Sequence, residues 1–338
     1  MADFDSGIEY VSDFRLYFGP AAKYGWMKRQ WPGNSRVADV KLGFFVNSQY
    51  LPGESMPQKI QDSAEQVRAA RDAGFSLIGA GQHYLAAPYQ MSTLFPLLAR
   101  LAAEAGDMQV AASIILVPLH NPVELAESVA TMDCITGGRF VFGIGLGYRD
   151  DEYTAFGVRR DERVGRMSES MAVIKKLWTE DEVEFQGKYF TVPKTKPITK
   201  PVQKPHPPIW VAANNDVAIK RAARWGYPWL INPHATVPMI ADQWVRYEEA
   251  LEAAGNPTPA VLPMMRELYV ARDRETAYID KPTVLGTEIR RRCFLGPRQG
   301  AAGRRKFQRS LSRPGERPLS AGFSRRRSLG TKALQPRT

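Results

Sequence analysis

Cysteine and histidine are both scarce in this chain, which limits the redox and metal chemistry open to it. The 338 residues include two cysteines, Cys134 and Cys293, and four histidines. Two cysteines are too few for a disulfide framework, so we expect a reducing, cytoplasmic location. Cys134 stands in a helical run beside Met132 and Ile135, which predicts a buried, inert thiol. No histidine, cysteine or carboxylate group has metal-ligand spacing, so the sequence predicts no metal site.

Long apolar runs are also missing. No stretch approaches the roughly 20 residues that a transmembrane helix needs, and no signal-peptide pattern is visible at the start. A membrane partner is therefore not expected. The G-x-S-x-G and serine-triad signatures are absent as well, which argues against a serine hydrolase.

Acidic residues are nearly missing from residues 281–338, and this controls the charge of the chain. The whole chain holds 46 Lys+Arg and 35 Asp+Glu, a net charge of +11. Residues 281–338 hold 16 of the basic and 2 of the acidic residues, a net charge of +14, so the rest carries −3. The main body is thus nearly neutral, and nucleic acid is not an expected partner. A basic tail that binds RNA or an acidic surface is the alternative.

What the chain does contain is a regular alternation of apolar strands and amphipathic helices. Helices are predicted at residues 57–73, 93–104, 122–135, 164–178, 217–225 and 238–254. Strands are predicted at residues 40–46, 75–80, 110–117, 139–144, 208–213, 228–231 and 268–271. Such a run predicts an α/β fold with a parallel sheet and helical crossovers. The length favours a (β/α)8 TIM barrel, and an open doubly wound sheet is the alternative.

Composition divides the chain into three parts. Residues 1–39 are predicted to be an N-terminal extension and residues 40–276 the barrel domain. A polar, proline-rich insertion at 181–207, with a hairpin across 186–188, would lie on the barrel rim. Residues 277–338 are a basic, low-complexity tail without an eighth strand. We therefore expect a barrel that is incomplete at its C-terminal end, and a frameshift in the gene is our hypothesis for the tail.

The segment TGGRFVFGIGLGYRDDEYTAFG at 136–157 is the strongest indication of a site. Its strand is apolar without alternation, which is typical of a parallel strand covered on both faces. Gly143, Gly145 and Gly147 follow at the carboxyl end of this strand, where a ligand could approach the backbone. A tight turn alone is the competing interpretation. The pattern is not a dinucleotide fingerprint, because Tyr148 occupies the place of its last glycine.

Six stretches of the chain together resemble the bacterial luciferase-like family of flavin-dependent monooxygenases and deazaflavin-dependent oxidoreductases. They read KLGFF at 41–45, GQHY at 81–84, PLHNPVELAESVATMD at 118–133, TGGRFVFGIGLGYRDDEYTAFGV at 136–158, RMSESMAVIKKLW at 166–178 and PIWVAANNDVAIKRAARWG at 208–226. The resemblance spans about residues 40–274. It implies a (β/α)8 barrel that binds FMN or a deazaflavin, coenzyme F420, at the carboxyl ends of its strands.

The resemblance implies a phosphate anchor at Asn214 and Asn215, before the helix at 217–225. Backbone N–H groups at a helix N-terminus suit a phosphate, and both amides could add donors. Ordinary capping of the helix is the alternative, and Asp216 beside them disfavours a dianion. Asn121, at the end of the third strand, also faces the expected mouth of the barrel, although a helix cap explains it adequately.

The resemblance further places Gly145, Gly147, Tyr148 and Arg149 near the phosphate and the flavin ring. Some members of the family carry an arginine at or just after these glycines, and Arg149 is the nearest candidate in this chain. A salt bridge from Arg149 to one of the acidic residues 150–152 is the alternative.

His83 is the candidate catalytic residue. It follows the second strand in a segment without helical or strand periodicity, which favours a site over a core position. Luciferase carries a pair of histidines here, and Gln82 occupies the first of the two positions in this chain. Glutamine cannot act as a base, so His83 would be the acid–base or orienting group. A structural histidine is the alternative.

These residues predict a flavin-dependent oxidoreductase, with a monooxygenase as the first choice. Reduced FMN from a flavin reductase would react with O2 to oxidise a small organic substrate. The alternative enzyme is an F420-dependent hydride-transfer oxidoreductase. The third alternative is a degenerate, inactive relative with a disrupted C-terminus. The resemblance also implies a homo-oligomer.

Overall fold

The computed structural model describes residues 40–267. The strands in chain order are β1 (Gly43–Val46), β2 (Gln49–Tyr50), β3 (Leu77–Ala80), β4 (Gln90–Met91), β5 (Gln109–Leu116), β6 (Phe140–Gly145), β7 (Val183–Gln186), β8 (Thr191–Thr195), β9 (Ile209–Ala212) and β10 (Trp229–Leu230). The α-helices are α1 (Met56–Asp72), α2 (Leu94–Ala102), α3 (Pro122–Ile135), α4 (Asp150–Ala155), α5 (Arg163–Thr179), α6 (Asp216–Arg224) and α7 (Val237–Ala253).

Six of the strands form one parallel sheet in the order β1-β3-β5-β6-β9-β10. The sheet order follows the chain order, as in a barrel, whereas a doubly wound sheet reverses its order at a switch point. The doubly wound alternative is therefore wrong. A parallel bridge between Ile231 and Met264 adds the next segment of the chain beside β10. The described residues thus curl as part of a (β/α) barrel, as predicted.

Strand β6 shows why its sequence lacks alternation. Phe140, Phe142 and Ile144 belong to the large cluster of buried residues that also holds α5, including Trp178. Val141 belongs instead to a small cluster with residues of β5, β9 and β10. Neighbouring side chains of a strand point to opposite faces, so both faces of β6 are covered by apolar residues.

The helices begin where the sequence signals indicate. Ser55 caps α1 by accepting the Gln58 N–H, and Asn121 caps α3 by accepting the Val123 N–H. Pro122 occupies the first position of α3, where its missing N–H would have no partner. Each of these caps therefore fixes a turn between the sheet and the outer helix layer.

Several details differ from the sequence predictions. The antiparallel pair of β2 with β4 and the short helix α4 were not predicted. Cys134 is exposed rather than buried, with its thiol 3.9 Å from the Lys200 carbonyl oxygen, so that prediction was wrong. The predicted rim hairpin is present as the antiparallel pair of β7 and β8. The strand predicted at 268–271, the residues 1–39 and the basic tail lie outside the described residues.

Within residues 40–267, no helix combines the length and apolarity needed to cross a bilayer. The same part of the chain holds no group of three or more histidine, cysteine or acidic side chains that could bind a metal ion.

Candidate active site

Three loops meet at the carboxyl edge of the sheet. Strand β5 lies between β3 and β6, so the loops that follow these three strands are neighbours. The loop after β3 carries residues 81–85, the loop after β5 carries His120, and the loop after β6 leads into α4. Active sites of barrel enzymes lie at this edge.

His83 lies between a buried carboxylate and a tyrosine. Its Nδ1 is 3.0 Å from Glu152 Oε1, and its Nε2 is 3.4 Å from the Tyr148 hydroxyl. The rings of His83 and Tyr148 meet edge to face, with centroids 5.4 Å apart. The Glu152 side chain is 1% exposed, and that of His83 is 21% exposed. The structure therefore joins two predicted site residues, His83 and Tyr148, through a contact that the sequence did not reveal.

Glu152 and Arg149 fix the loop after β3. Glu152 Oε1 also accepts the Tyr84 N–H at 2.8 Å, and Arg149 donates to the carbonyl oxygens of Tyr84 and Leu85 at 2.8 Å each. Arg149 Nη1 lies 3.8 Å from the Glu152 carboxylate. The salt bridge proposed as an alternative for Arg149 is thus present. Its role as a counter-charge for a cofactor stays a prediction.

A second histidine occupies the neighbouring loop. His120 Nε2 lies 3.2 Å from Gln82 Nε2 and 3.4 Å from the Tyr84 hydroxyl, while its Nδ1 lies 3.6 Å from Glu124. A carboxamide nitrogen can only donate, so Gln82 donates to His120 Nε2 and the ring carries its hydrogen on Nδ1. Gln82 is 5% exposed, and its Oε1 has no hydrogen-bond partner among the described residues.

Burial keeps these groups in defined protonation states. Burial, assisted by Glu124 and Glu152, raises the pKa of Tyr84 to about 12. Burial also raises the pKa of Tyr148, with the charge of Glu152 in the same direction. Burial lowers the pKa of His120 although Glu124 opposes it. At neutral pH both tyrosines are therefore hydrogen-bond donors, and His120 is a neutral imidazole.

Neighbouring strands account for the glycines at the end of β6. A β-carbon on Gly143 would collide with the Ala112 carbonyl oxygen, and one on Gly145 would collide with Ile114 Cδ1. Gly147 has φ +81°, a conformation that side chains disfavour. Packing and a turn thus explain these three glycines without a ligand. The cofactor contacts of Gly145 and Gly147 stay predictions.

The N-terminus of α6 lies next to these glycines, because β9 pairs with β6. Asn215 Oδ1 accepts the Ala218 N–H and so caps the helix, as the alternative interpretation of this residue held. Asn214 is exposed and makes no hydrogen bond among the described residues. Asp216 pairs with Arg246 of α7 at 3.4 Å, which offsets the charge that disfavoured a phosphate. The phosphate role of both asparagines, and a cofactor contact by Asn121, stay predictions.

Glu152 is the site residue that the sequence analysis missed. It stands in the acidic run Asp150–Glu152, which is typical of an exposed helix start. Its burial depends on the approach of a loop 68 residues earlier in the chain. The only local signal is Tyr153 beside it, which is buried and places the first turn of α4 against the barrel.

Polar side chains gathered at the carboxyl edge of a barrel-type parallel sheet are the arrangement of TIM-barrel enzymes. The sequence model of the luciferase-like monooxygenase family matches residues 40–327, which is most of the chain. This chain belongs to the luciferase-like monooxygenase family, as the resemblance implied.

Two characterised relatives show the range of cofactors among similar proteins. The chain is 28% identical over 249 residues to the F420-dependent glucose-6-phosphate dehydrogenase of Kineococcus radiotolerans, covering 70% of each chain. It is 25% identical over 244 residues to the oxygenase component of the flavin-dependent trigonelline monooxygenase of Acinetobacter baylyi, covering 71% of this chain and 68% of that one. The chain spans 52% and 66% of the length of two further curated relatives from Sinorhizobium fredii.

A solved structure supports the fold. The monooxygenase RslO1 from Streptomyces bottropensis superposes with a TM-score of 0.67 at 25% identity, covering 74% of this chain and 78% of that one. Together with the family match, this similarity confirms the predicted fold class.

Proposed function

We propose that this chain is a flavin-dependent monooxygenase that uses reduced FMN and O2 to oxidise a small organic substrate. The observation that carries the proposal is the contact of His83 with Tyr148 and Glu152 at the carboxyl edge of a luciferase-like barrel. The relative from Acinetobacter baylyi is the oxygenase component of a flavin-dependent monooxygenase. That relative supports a separate flavin reductase as the partner that supplies reduced FMN.

The residues at this edge fit a flavin. Gln82 presents a buried carboxamide whose Oε1 has no partner among the described residues. A carboxamide offers an acceptor and donors, which complements the polar pyrimidine edge of a flavin ring. The Ala218 N–H is taken by the Asn215 cap, and the preceding N–H groups at the start of α6 suit the phosphate, with Asn214 as an additional donor. We therefore assign Gln82 to the ring and the start of α6 to the phosphate.

Bound reduced FMN supplies the electrons for the reaction with O2. The chain itself orients the reactants and handles protons. In the proposal, His83 Nε2 accepts or releases the proton and the Tyr148 hydroxyl donates to it, while Arg149 and Glu152 hold the loop after β3 in place. His83 is accordingly the catalytic residue of the proposal.

An anaerobic titration of the full chain with reduced FMN, followed by flavin fluorescence, tests the proposal. We expect saturable binding of reduced FMN, and we expect the N214A variant to bind it more weakly. Reduced F420 is titrated in parallel as the competing cofactor. Preference for F420 would instead favour F420-dependent hydride transfer, the second candidate, which the relative from Kineococcus radiotolerans supports. Binding of neither cofactor contradicts both and favours the inactive relative.

A pair of histidine variants tests the role of His83. H83N removes the exchangeable ring nitrogen, so we expect turnover to fall by about 10²–10⁴-fold while flavin affinity stays within a few-fold. H206Q is the matched control, because His206 precedes β9 and lies at the opposite edge of the sheet. Equal turnover in H83N and H206Q would contradict a catalytic role for His83. Sedimentation of the same samples tests the homo-oligomer that the resemblance implies.

A further inference from the structure

We propose that Glu152 is a positioning residue that holds the His83 imidazole in one tautomer, with its hydrogen on Nδ1 and its lone pair on Nε2. The inference deepens the proposed function, because it specifies which nitrogen of His83 is available to a reactant. Glu152 touches no reactant itself and acts through His83.

The contacts of Glu152 define the tautomer. Its Oε1 lies 3.0 Å from His83 Nδ1 and accepts the Tyr84 N–H at 2.8 Å. An ionised carboxylate can only accept hydrogen bonds, so the hydrogen of the neutral imidazole belongs on Nδ1. His83 Nε2 is then left with a lone pair, which faces the Tyr148 hydroxyl at 3.4 Å.

The state of Tyr148 agrees with this assignment. Burial and the charge of Glu152 raise the pKa of Tyr148, so its hydroxyl keeps its hydrogen at neutral pH. A protonated hydroxyl can donate or accept, and with the hydrogen of His83 on Nδ1 it donates to Nε2. The donor–acceptor order therefore runs from Tyr148 to His83 and from His83 to Glu152.

Holding the loop after β3 through the Tyr84 N–H does not require a charged side chain at position 152. A neutral acceptor such as a glutamine would satisfy the Tyr84 N–H equally well. The side chain is 1% exposed, and burying a carboxylate is unfavourable unless charged or donor groups surround it. Arg149 Nη1 at 3.8 Å, the His83 Nδ1–H and the Tyr84 N–H all face Oε1, whereas Oε2 is buried without a hydrogen-bond partner among the described residues. One acceptor oxygen, Oε1, thus serves both the loop and the His83 ring.

The scarcity of histidine makes the tautomer measurable. The chain has four histidines, so selective ¹⁵N-histidine labelling of the full chain gives four pairs of ring signals, and H83N identifies those of His83. We expect His83 of the wild-type protein, at a pH where its ring is neutral, to carry its hydrogen on Nδ1. A spectrum with the hydrogen on Nε2, or with an even mixture, overturns the proposal whatever the variants show.

Two variants separate positioning from structural support. E152Q keeps an acceptor oxygen, so we expect it to retain the tautomer. E152A removes the acceptor, so the Nδ1–H to Nε2–H ratio should fall at least about tenfold, which is what a hydrogen bond to a charged group contributes. An unchanged ratio in a folded E152A protein contradicts the assignment. E124Q is the matched control, because Glu124 faces His120 and should alter only the His120 signals.

No cofactor is present in this measurement, so its outcome is independent of the proposed function. Failure to bind a flavin would remove the monooxygenase proposal and leave the tautomer intact. Loss of the tautomer in a chain that binds reduced FMN would remove the positioning role and leave the function. If E152A does not fold, the wild-type spectrum still tests the proposal, because a hydrogen on Nε2 of His83 would contradict it.

Discussion

Position 145 illustrates how a neighbouring strand can require glycine. The register of β5 against β6 shifts between Ala112 and Ile115, and this irregularity directs Ile114 towards Gly145. Gly143 meets a different obstacle, the carbonyl oxygen of Ala112, which belongs to the backbone and cannot rotate away. The two glycines therefore tolerate a methyl group to different degrees.

We predict that G143A destabilises the protein more than G145A. Overpacking typically costs about 1–3 kcal/mol, and only the Ile114 side chain can move aside. I114V deletes the Cδ1 atom that a β-carbon at position 145 would strike, and leaves Cγ1 at 3.4 Å from that β-carbon, an ordinary contact. Urea unfolding should thus show that I114V rescues G145A but leaves G143A unchanged. Equal rescue of both variants would mean that side-chain packing does not distinguish the two sites.

The burial of His120 makes the stability of the folded state depend on pH. Burial lowers the pKa of His120 below its ordinary 6.5, so the unfolded chain binds a proton more readily than the folded one. The stability that neutral His120 contributes is therefore complete above pH 6.5 and is lost as the pH falls through the lowered pKa.

We predict that the wild-type protein loses stability on acidification below pH 6.5 more steeply than H120N, which cannot titrate at this position. The difference in slope can reach at most about 1.4 kcal/mol per pH unit, the limit for a single proton. Urea unfolding between pH 4.5 and 7.5 measures both slopes. Parallel curves for the two proteins would show that folding leaves the pKa of His120 unchanged, contrary to its burial.

At the scale of elements, the start of α6 combines two neighbouring asparagines with different contacts. Asn215 caps the helix through the Ala218 N–H, whereas Asn214 is exposed and makes no hydrogen bond within the described part of the chain. A cap contributes stability, and a free exposed amide does not. The two residues can therefore be separated by experiment.

We predict that N215A lowers the free energy of unfolding by about 1 kcal/mol, the usual cost of a lost cap. N214A should leave stability unchanged and weaken the binding of reduced FMN, since only its amide is free for a phosphate. Thermal unfolding and flavin titration of both variants, side by side, measure the two effects. A stability loss in N214A equal to that in N215A would contradict the division of roles.

Elements with local signals were the ones that sequence reasoning could predict. The apolar run of β6 and the cap and proline at Asn121 and Pro122 are encoded within a few residues, and both elements appear where expected. The β2–β4 pair joins residues about 40 positions apart, and two-residue strands have no periodicity to detect. The same contrast applies to the site. The aperiodic loop around His83 is a local signal that predicted a site residue, whereas the burial of Glu152 depends on packing against residues distant in the sequence.

At the scale of the whole molecule, the two ends of the parallel sheet differ. Among the described residues β1 pairs only with β3, so one edge of β1 has no strand beside it. The opposite end of the sheet is extended by Met264, which bridges Ile231. Closure of the barrel would need a further strand from outside residues 40–267, and the predicted C-terminal disruption would remove it. An unpaired edge exposes backbone N–H and C=O groups.

We predict that backbone amides of β1 exchange with deuterium faster than those of β5 and β6, which are paired on both sides. Exchange reports local opening, and an open edge strand opens at lower free energy than a central one. Hydrogen exchange followed by mass spectrometry compares peptides from the three strands in one experiment. Replacing residues 277–338 with the corresponding segment of the relative from Acinetobacter baylyi should slow the exchange of β1 selectively. Equal protection of β1, β5 and β6 in the unaltered chain would mean that the barrel closes as it stands, and the hypothesis of a disrupted C-terminus would then be wrong.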